Sequence, residues 1–491
     1  MGRIAIKFIS AQDAASDSWD LVVVGSGMGS LFFLMKYLQE RPDQRVLIVE
    51  KGGYNTHDWQ LQNLQNSTVD NHRTYRNIGE FHKEWAYTIG LGGSSNCWWA
   101  LTPRLHPDDF RIHTMTGTSV DWPITYDDLV PYYQQAERKM LIAGSDELEE
   151  HYPGTAPFPQ PHHHLTTADE MMRARPGHLH YPMPTAKLSL ATEESSRNRC
   201  CSTSRCHLCP VDAKFNALNG FRDVLSHPAV SIVVDAEVQM LDTAGGVVKS
   251  VQFRQAGKDY KAACDLCVLG ANALWSPFIM LRSGIGGHGV GRYLGEKMLA
   301  NVEVYLDGLE HYNGGTATTT MNLSLLKDGR TKDRGTTFLI FKNGFDHGVR
   351  LDPPGRWRES LPLGLYVEDH MHYDNGVFDD GGDVPAVKFA PWSPYAQNTL
   401  DHAMSRLPEI LKPLPVEEIR DPKIWPTLGH VQGTCRMGTD IGNSVVDRDL
   451  VSHAVRNLVV VGTSTFPTSG SVNPTLTAAA MSLRSAERLV G

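Results

Sequence analysis

Hydrophobic positions follow two regimes along the chain. Near both ends, and around residue 268, they form short continuous runs that stop at glycine. Leu21–Val24, flanked by Asp20, predicts a strand buried on both faces. It runs into Gly25-Ser26-Gly27-Met28-Gly29, which predicts a tight turn opening a helix. Arg45 to Glu50 predicts a second strand ending in an acid, followed to about Glu84 by loop with short helices. Thr125 or Asp127 can cap a helix with Leu129, Tyr132, Tyr133 and Ala136 on one face. A helix is predicted from Ala213 to Ser226, then strands from Val230 and over 247–260 with a Gly-Gly turn between them. Leu266 to Gly270, with a helix continuing through Met280, is a second strand–glycine–helix unit. From about Val302 to Asp421 the second regime takes over. Strands alternate apolar and polar (from Val302; from Thr336), predicting an antiparallel sheet with a helix near Asn398 to Leu411. The first regime returns in the strand Asn457 to Gly462 and a last helix with Asn473 near its cap and Pro474 near its first turn.

The order strand, glycine turn, helix, strand, acid is that of a dinucleotide fold. Gly25 can make the tight turn, Gly27 lets backbone approach a pyrophosphate, and the helix amides would face the phosphates. Glu50 falls where a ribose-binding carboxylate belongs and favours FAD or NAD over NADP. Leu91 to Ala100 again joins glycines to small polar residues and two tryptophans. They wall an aromatic cofactor or form a glycine-rich turn with core tryptophans. His162-His163-His164 reads as a solvated loop, because consecutive histidines on extended chain point apart. The acidic run Glu368, Asp369, Asp374, Asp379, Asp380 and Asp383 reads as a solvated loop, with a rim attracting a cationic substrate as the sharper alternative.

Composition narrows the class. The chain has 491 residues, 41% hydrophobic and 21% charged, long enough for two domains or one composite domain. A formal charge of -9 argues against nucleic-acid binding. No apolar run approaches the ~20 residues of a membrane span, and the N-terminus makes no convincing secretory signal. The expected location is therefore cytoplasmic, or periplasmic if a partner subunit carries the chain. Four of the eight cysteines crowd between Cys200 and Cys209, which suggests a local site rather than a disulfide scaffold.

These pieces together resemble the glucose-methanol-choline (GMC) oxidoreductases. The matching motifs are Gly25-x-Gly27 with Glu50, Gly92-Gly93-Ser94-Ser95, Trp122-Pro123 with Tyr126 and Asp128-Leu129, Gly270 to Pro277 with Ser283 to Gly286, and His430 to Thr475. The resemblance implies an α/β fold with a Rossmann-like FAD-binding domain (1–115, 195–300 and 425–491) and an antiparallel-sheet α+β substrate domain (116–194 and 301–424). It implies FAD held by Gly25, Ser26, Gly27, Met28, Gly29, Glu50, Lys51, Gly92, Gly93, Ser94, Asn96, Cys97, Trp98, Trp99, Val238, Ala271, Gly462, Thr463, Asn473, Pro474 and Thr475. It makes His430 the general base and Asn473 its partner in hydride transfer from a sugar or glycoside hydroxyl to flavin N5. Cys97 stands where a related branch attaches FAD through histidine, so non-covalent FAD is expected, with cysteinyl attachment as the alternative. Cys200, Cys201 and Cys206, followed by Cys209, resemble the 3Fe-4S motif of bacterial sugar dehydrogenases, with Zn²⁺, a disulfide or free thiols as alternatives. A cluster implies an electron-accepting or small chaperone subunit. Without one, an oxygen-using oxidase making hydrogen peroxide is the runner-up. A non-redox FAD-containing lyase and a non-catalytic electron-transfer subunit are further rivals.

Overall fold

The computed structural model describes residues 5–155, 157–344, 356–390, 392–427 and 429–491. One of its two seven-stranded sheets runs in the order Val230–Val233, Val46–Val49, Ser18–Val24, Lys258–Leu269, Val247–Gln255, Glu237–Ala244, with Leu458–Val460 also paired to Lys258–Leu269. The apolar runs form its parallel part. Val22 pairs with Leu47 on one side and Cys267 on the other, and Cys267 pairs with Leu458. All are fully buried, as strands covered on both faces must be. The helix Met28–Glu40 returns across this sheet and packs against the last helix, Thr475–Val490.

Lys258–Leu269 does two jobs. Its first half makes an antiparallel ladder with Val247–Gln255, and its second half joins the parallel core. The predicted strand over 247–260 is therefore two strands, turned at Gly257, and the predicted strand from Leu266 is only the end of the second. Glu237–Ala244, unpredicted as a full strand, completes this meander across the Gly245-Gly246 turn. The predicted helix from Ala213 to Ser226 is two single turns, Ala217–Gly220 and Arg222–Leu225. The break falls where Gly220 lies tight against the Phe215 ring.

The second sheet runs Val416–Ile419, Met298–Leu306, Ser360–Val367, Thr337–Lys342, Thr318–Asn322, His180–Pro182, with Lys423–Pro426 also on Met298–Leu306. Every pairing is antiparallel. One face packs Ala300, Val302, Leu339, Phe341, Leu363 and Leu365 with Ala396, Leu400, Ala403 and Leu407 of the helix Pro394–Ile410. That helix begins a turn before its predicted start, capped by Ser393 with Pro394 in its first position. Side chains alternate across a strand, so the intervening Leu299, Asn301, Ile340, Lys342 and Tyr366 point the other way. They line a cavity.

Trp122, three residues ahead of the helix cap Thr125, joins the two halves. Its indole donates to Thr468 Oγ1 at 2.7 Å. The helix Tyr126–Met140 buries Leu129, Tyr132, Tyr133 and Ala136 as predicted. His163 corrects the solvated-loop reading of the histidine triplet. It is buried, with Nε2 3.1 Å from Thr185 Oγ1, and burial pushes it down to about 3.

Candidate active site

The cavity, of about 1110 Å³, lies between the two sheets. Its first half is made of backbone. Gly25 ends its strand at φ +83, where a Cβ would meet the Gly270 carbonyl oxygen at 2.8 Å. This is a position only glycine fills without strain. Gly27 caps the helix Met28–Glu40, no side chain caps that end, and a Cβ on Gly27 would meet nothing within 4 Å. Gly93, at φ +53, approaches Gly27 from the opposite wall. The first turn of that helix thus faces the cavity with free amides, the arrangement that binds phosphate oxygens.

Glu50 ties these loops together. Its Oε2 accepts from Ser26 N (3.0 Å) and Ser26 Oγ (2.7 Å), and its Oε1 accepts from Gly52 N (3.0 Å). Ser26 Oγ in turn accepts from Gly92 N at 3.0 Å. Burial pushes the carboxyl above the usual range while these donors pull it down. Glu50 therefore braces the first turn as well as lining the cavity. Beyond it, Lys51 lies 3.4 Å from the Trp275 ring centroid and pairs with Glu237 at 3.1 Å. Val238 completes this end.

The sequence-predicted cofactor residues line this half with two corrections. Gly92 and Asn96 stand behind the wall. Asn96 turns inward, donating to the Leu91 and Gly93 carbonyls and accepting from Gln60 Nε2. Gly92 is held at φ +96 to start the short turn Gly93–Asn96. Both shape the loop whose outer side, Gly93, Ser94, Cys97, Trp98 and Trp99, meets the cavity. The last helix begins at Thr475, with Pro474 rather than Asn473 at its cap, and no side chain caps it. Asn473, Pro474, Thr475, Gly462, Thr463 and Ala271 all reach the cavity.

At the junction of the halves His430 and Asn473 meet. Asn473 Nδ2 lies 2.9 Å from His430 Nε2. Among the described residues His430 Nδ1 and Asn473 Oδ1 are buried with no partner, and the Tyr366 ring lies 5.5 Å from the imidazole. His430 is partly exposed to the cavity it lines, and desolvation by the surrounding protein holds its pKa well below the ordinary value. The cations Lys297 and Lys83 push in the same direction. A neutral imidazole beside a neutral amide can take a hydroxyl proton and orient the oxygen that loses it.

Of the alternatives for the cysteine group the structure shows free thiols, and a 3Fe-4S cluster finds no support among the described residues. Cys200 Sγ is placed toward Thr316, Cys201 toward Thr203, Cys206 toward Lys187 Nζ (3.8 Å), and Cys209 accepts from Ala213 N (3.3 Å). All four are free thiols, and among the described residues no group of three His, Cys, Asp or Glu is placed to hold a metal. The loop is instead latched to the cavity wall by Lys214, which donates to the Cys206, Asn96 and Trp98 carbonyls. The acidic run is no cavity rim. Glu368 is buried against Arg330, Asp369 accepts from the Ser393 amide, and none of the six acids lines the cavity.

Sequence reasoning missed the second half of the cavity: Phe81, Leu299, Asn301, Ile340, Tyr366 and Trp425. Period-two alternation was the signal for the strand residues among them, but it does not say which face meets the site.

Comparison with known proteins points the same way. Residues 396–482 match the family model described as GMC oxidoreductase. The chain is similar to 6'''-hydroxyparomomycin C oxidase of Streptomyces lividus, with 27% identity over 96% of this chain and 91% of that protein. It is similar to the fructose dehydrogenase large subunit of Gluconobacter japonicus, with 24% identity over 96% and 98%. A C-glycoside 3-oxidase of Arthrobacter globiformis shares 29% over half of each chain. Among solved structures, pyridoxine 4-oxidase from Mesorbium loti superposes with a TM-score of 0.67 at 19% identity, covering 96% of this chain and 99% of that one. Formate oxidase of Aspergillus oryzae gives 0.67 at 17%, covering 96% and 98%.

Proposed function

We propose that the chain, whose residues 396–482 match the GMC oxidoreductase model, is a GMC oxidoreductase that oxidises a hydroxyl of a sugar or glycoside to a carbonyl, with FAD held in the glycine-built half of the cavity and His430 as base. The residues fit that cofactor. An uncapped helix end, the Gly25, Gly27 and Gly93 cradle and the buried Glu50 suit a dinucleotide, and the cavity has room for substrate beside it. Bound there, FAD supplies the hydride acceptor for the carbinol C–H.

The observation that carries the reading is the His430–Asn473 contact inside that cavity. A substrate hydroxyl entering between the two accepts from Asn473 Nδ2 and donates to His430 Nε2, replacing their direct bond. His430 then takes the proton as the carbinol carbon loses hydride. Burial and the neighbouring cations keep the base neutral at physiological pH, which is the form the step needs. Trp425 and Tyr366 supply flat faces on which a sugar ring can lie.

The placement of Cys200, Cys201, Cys206 and Cys209 does not fit a 3Fe-4S cluster, and no electron-transfer step is drawn through that loop. Among acceptors that can enter the cavity itself, dioxygen is the first to test. The named relatives include both oxidases and a dehydrogenase subunit acting on sugars, which supports the substrate class.

The test is product analysis. The protein, loaded with FAD, is incubated in air with neutral sugars, C- and O-glycosides and aminoglycosides, and products are analysed by mass spectrometry. A product lighter by two hydrogens, with hydrogen peroxide formed in equal amount, is expected from at least one sugar. Oxidation of simple non-sugar alcohols alone would overturn the substrate class. Oxidation that proceeds only with an added dye would overturn the acceptor.

A further inference from the structure

Lys297 is fully buried, yet among the described residues no carboxylate lies within ion-pair distance of its ammonium. An unpaired buried charge is costly, and its neighbours show where it is spent. Nζ donates to Ser469 O (3.0 Å) and Ser469 Oγ (3.3 Å). With the Gln432 amide oriented to satisfy both its ends, Gln432 oxygen accepts from the same ammonium at 2.8 Å and its nitrogen donates to Ser469 O at 3.1 Å. Gln432 follows His430 by two positions, and Ser469 precedes Asn473 by four. Gln432 and Gly295 exchange two backbone hydrogen bonds, which fixes the lysine's own segment to the base's.

We infer that Lys297 is a positioning residue for the proposed base, clamping the segments that carry His430 and Asn473 to one another and setting a fixed positive charge behind the imidazole. The inference rests on the reading of His430 as base. The charges facing His430 are Lys297 and Lys83. Lys83 is neutralised by Glu296 at 2.8 Å, and Glu296 is further engaged by Thr427. Glu296 is also the carboxylate that acts most strongly on Lys297, ahead of Asp109 and Glu368, but among the described residues none lies within ion-pair distance of it, and the last two are tied to Arg330. Lys297 is thus the less compensated of the two cations. Burial pulls its own pKa down to about 8, so it is charged in the acid range where the limb is read.

The sign follows. A cation behind the imidazole disfavours its protonation, so removing the cation moves the acid limb of the kcat/KM profile to higher pH. Three variants separate charge from clamp: Lys297→Met removes both, Lys297→Gln keeps a donor without charge, and Gln432→Leu keeps the charge and breaks the link. FAD content is checked by absorbance in each. Lys297→Met is expected to lower kcat tenfold or more with KM within threefold, and to move the acid limb up by about one unit. Lys297→Gln is expected to move the limb with a smaller loss of kcat, and Gln432→Leu to lower kcat without moving the limb. FAD-loaded Lys297→Gln and Lys297→Met with unmoved limbs would overturn the inference, whatever their stability. The titration of His430 followed by NMR of histidine-labelled protein, assigned with His430→Asn, reads the same effect without turnover. An upward shift in Lys297→Met is expected and no shift contradicts the inference. Wild-type turnover in His430→Ala would instead remove the base assignment while leaving that titration to judge Lys297.

Discussion

The two halves of the cavity are built by different means. The cofactor half is backbone: glycines at φ +83 and +53, an uncapped helix end and amides gathered by Glu50 and Ser26. The substrate half is side chains: Leu299, Asn301, Ile340 and Tyr366 on the free face of an antiparallel sheet, with Trp425 beside them. Backbone geometry tolerates almost no substitution where φ is positive and a Cβ would strike a carbonyl. A sheet face accepts exchange of one side chain for another so long as the opposite face keeps its core. The difference teaches where specificity can vary without loss of the cofactor. His430 and Asn473 stand at the seam and belong to the first half by chain position and to the second by chemistry.

Four substitutions test this contrast. Gly25→Val should do the most damage: a branched side chain at φ +83 against the Gly270 carbonyl abolishes FAD binding, read as flavin absorbance of the purified protein. Retained flavin would refute the backbone account of that half. His430→Ala should keep FAD and lose about 10²–10⁴-fold in kcat, the range of general-base contributions. Asn473→Ala should cost about 10- to 100-fold, the worth of a hydrogen bond to a group that becomes charged. Stopped-flow rates of flavin reduction check both. Trp425→Ala should be mildest, raising KM severalfold with kcat and FAD content unchanged, because an exposed ring supplies contact and no chemistry. Steady-state kinetics decide it.

The pH profile adds a sign check. In the proposed mechanism the neutral form of His430 is the active one, and burial with the neighbouring cations holds its pKa well below 6.5. Activity should therefore persist as pH falls through 6.5 and disappear only in more acid solution. Loss centred at or above 6.5 would mean that the imidazole is not shielded as the structure has it.

Legibility in the sequence divides along the same seam. The turn Gly25–Gly29, the acid Glu50 and the segment from Gly462 to Thr475 were readable because local chemistry dictates them: only glycine suits such turns, and only a continuous apolar run suits a strand buried on both faces. The substrate face was not readable. Leu299 and Ala300 are both apolar, and only pairing with Tyr366 and Leu365 decides which one meets the cavity. The meander misread over 247–260 has the same cause, since Gly257 can end a strand or bend it. Cys200–Cys209 shows the opposite failure, in which a suggestive spacing is dispersed by contacts to Thr316, Thr203, Lys187 and the Ala213 amide. Glu50 was foreseen as a ribose ligand, and its bracing of Ser26 required the fold.

The central claim is most directly tested by mixing the FAD-loaded protein anaerobically with sugars and following flavin absorbance, using the responding sugar with hydrogen and then deuterium on the carbinol carbon. The account predicts bleaching by at least one sugar, slowed severalfold by deuterium and nearly abolished in His430→Ala. Bleaching at the wild-type rate in His430→Ala, or no bleaching by any sugar, would contradict it.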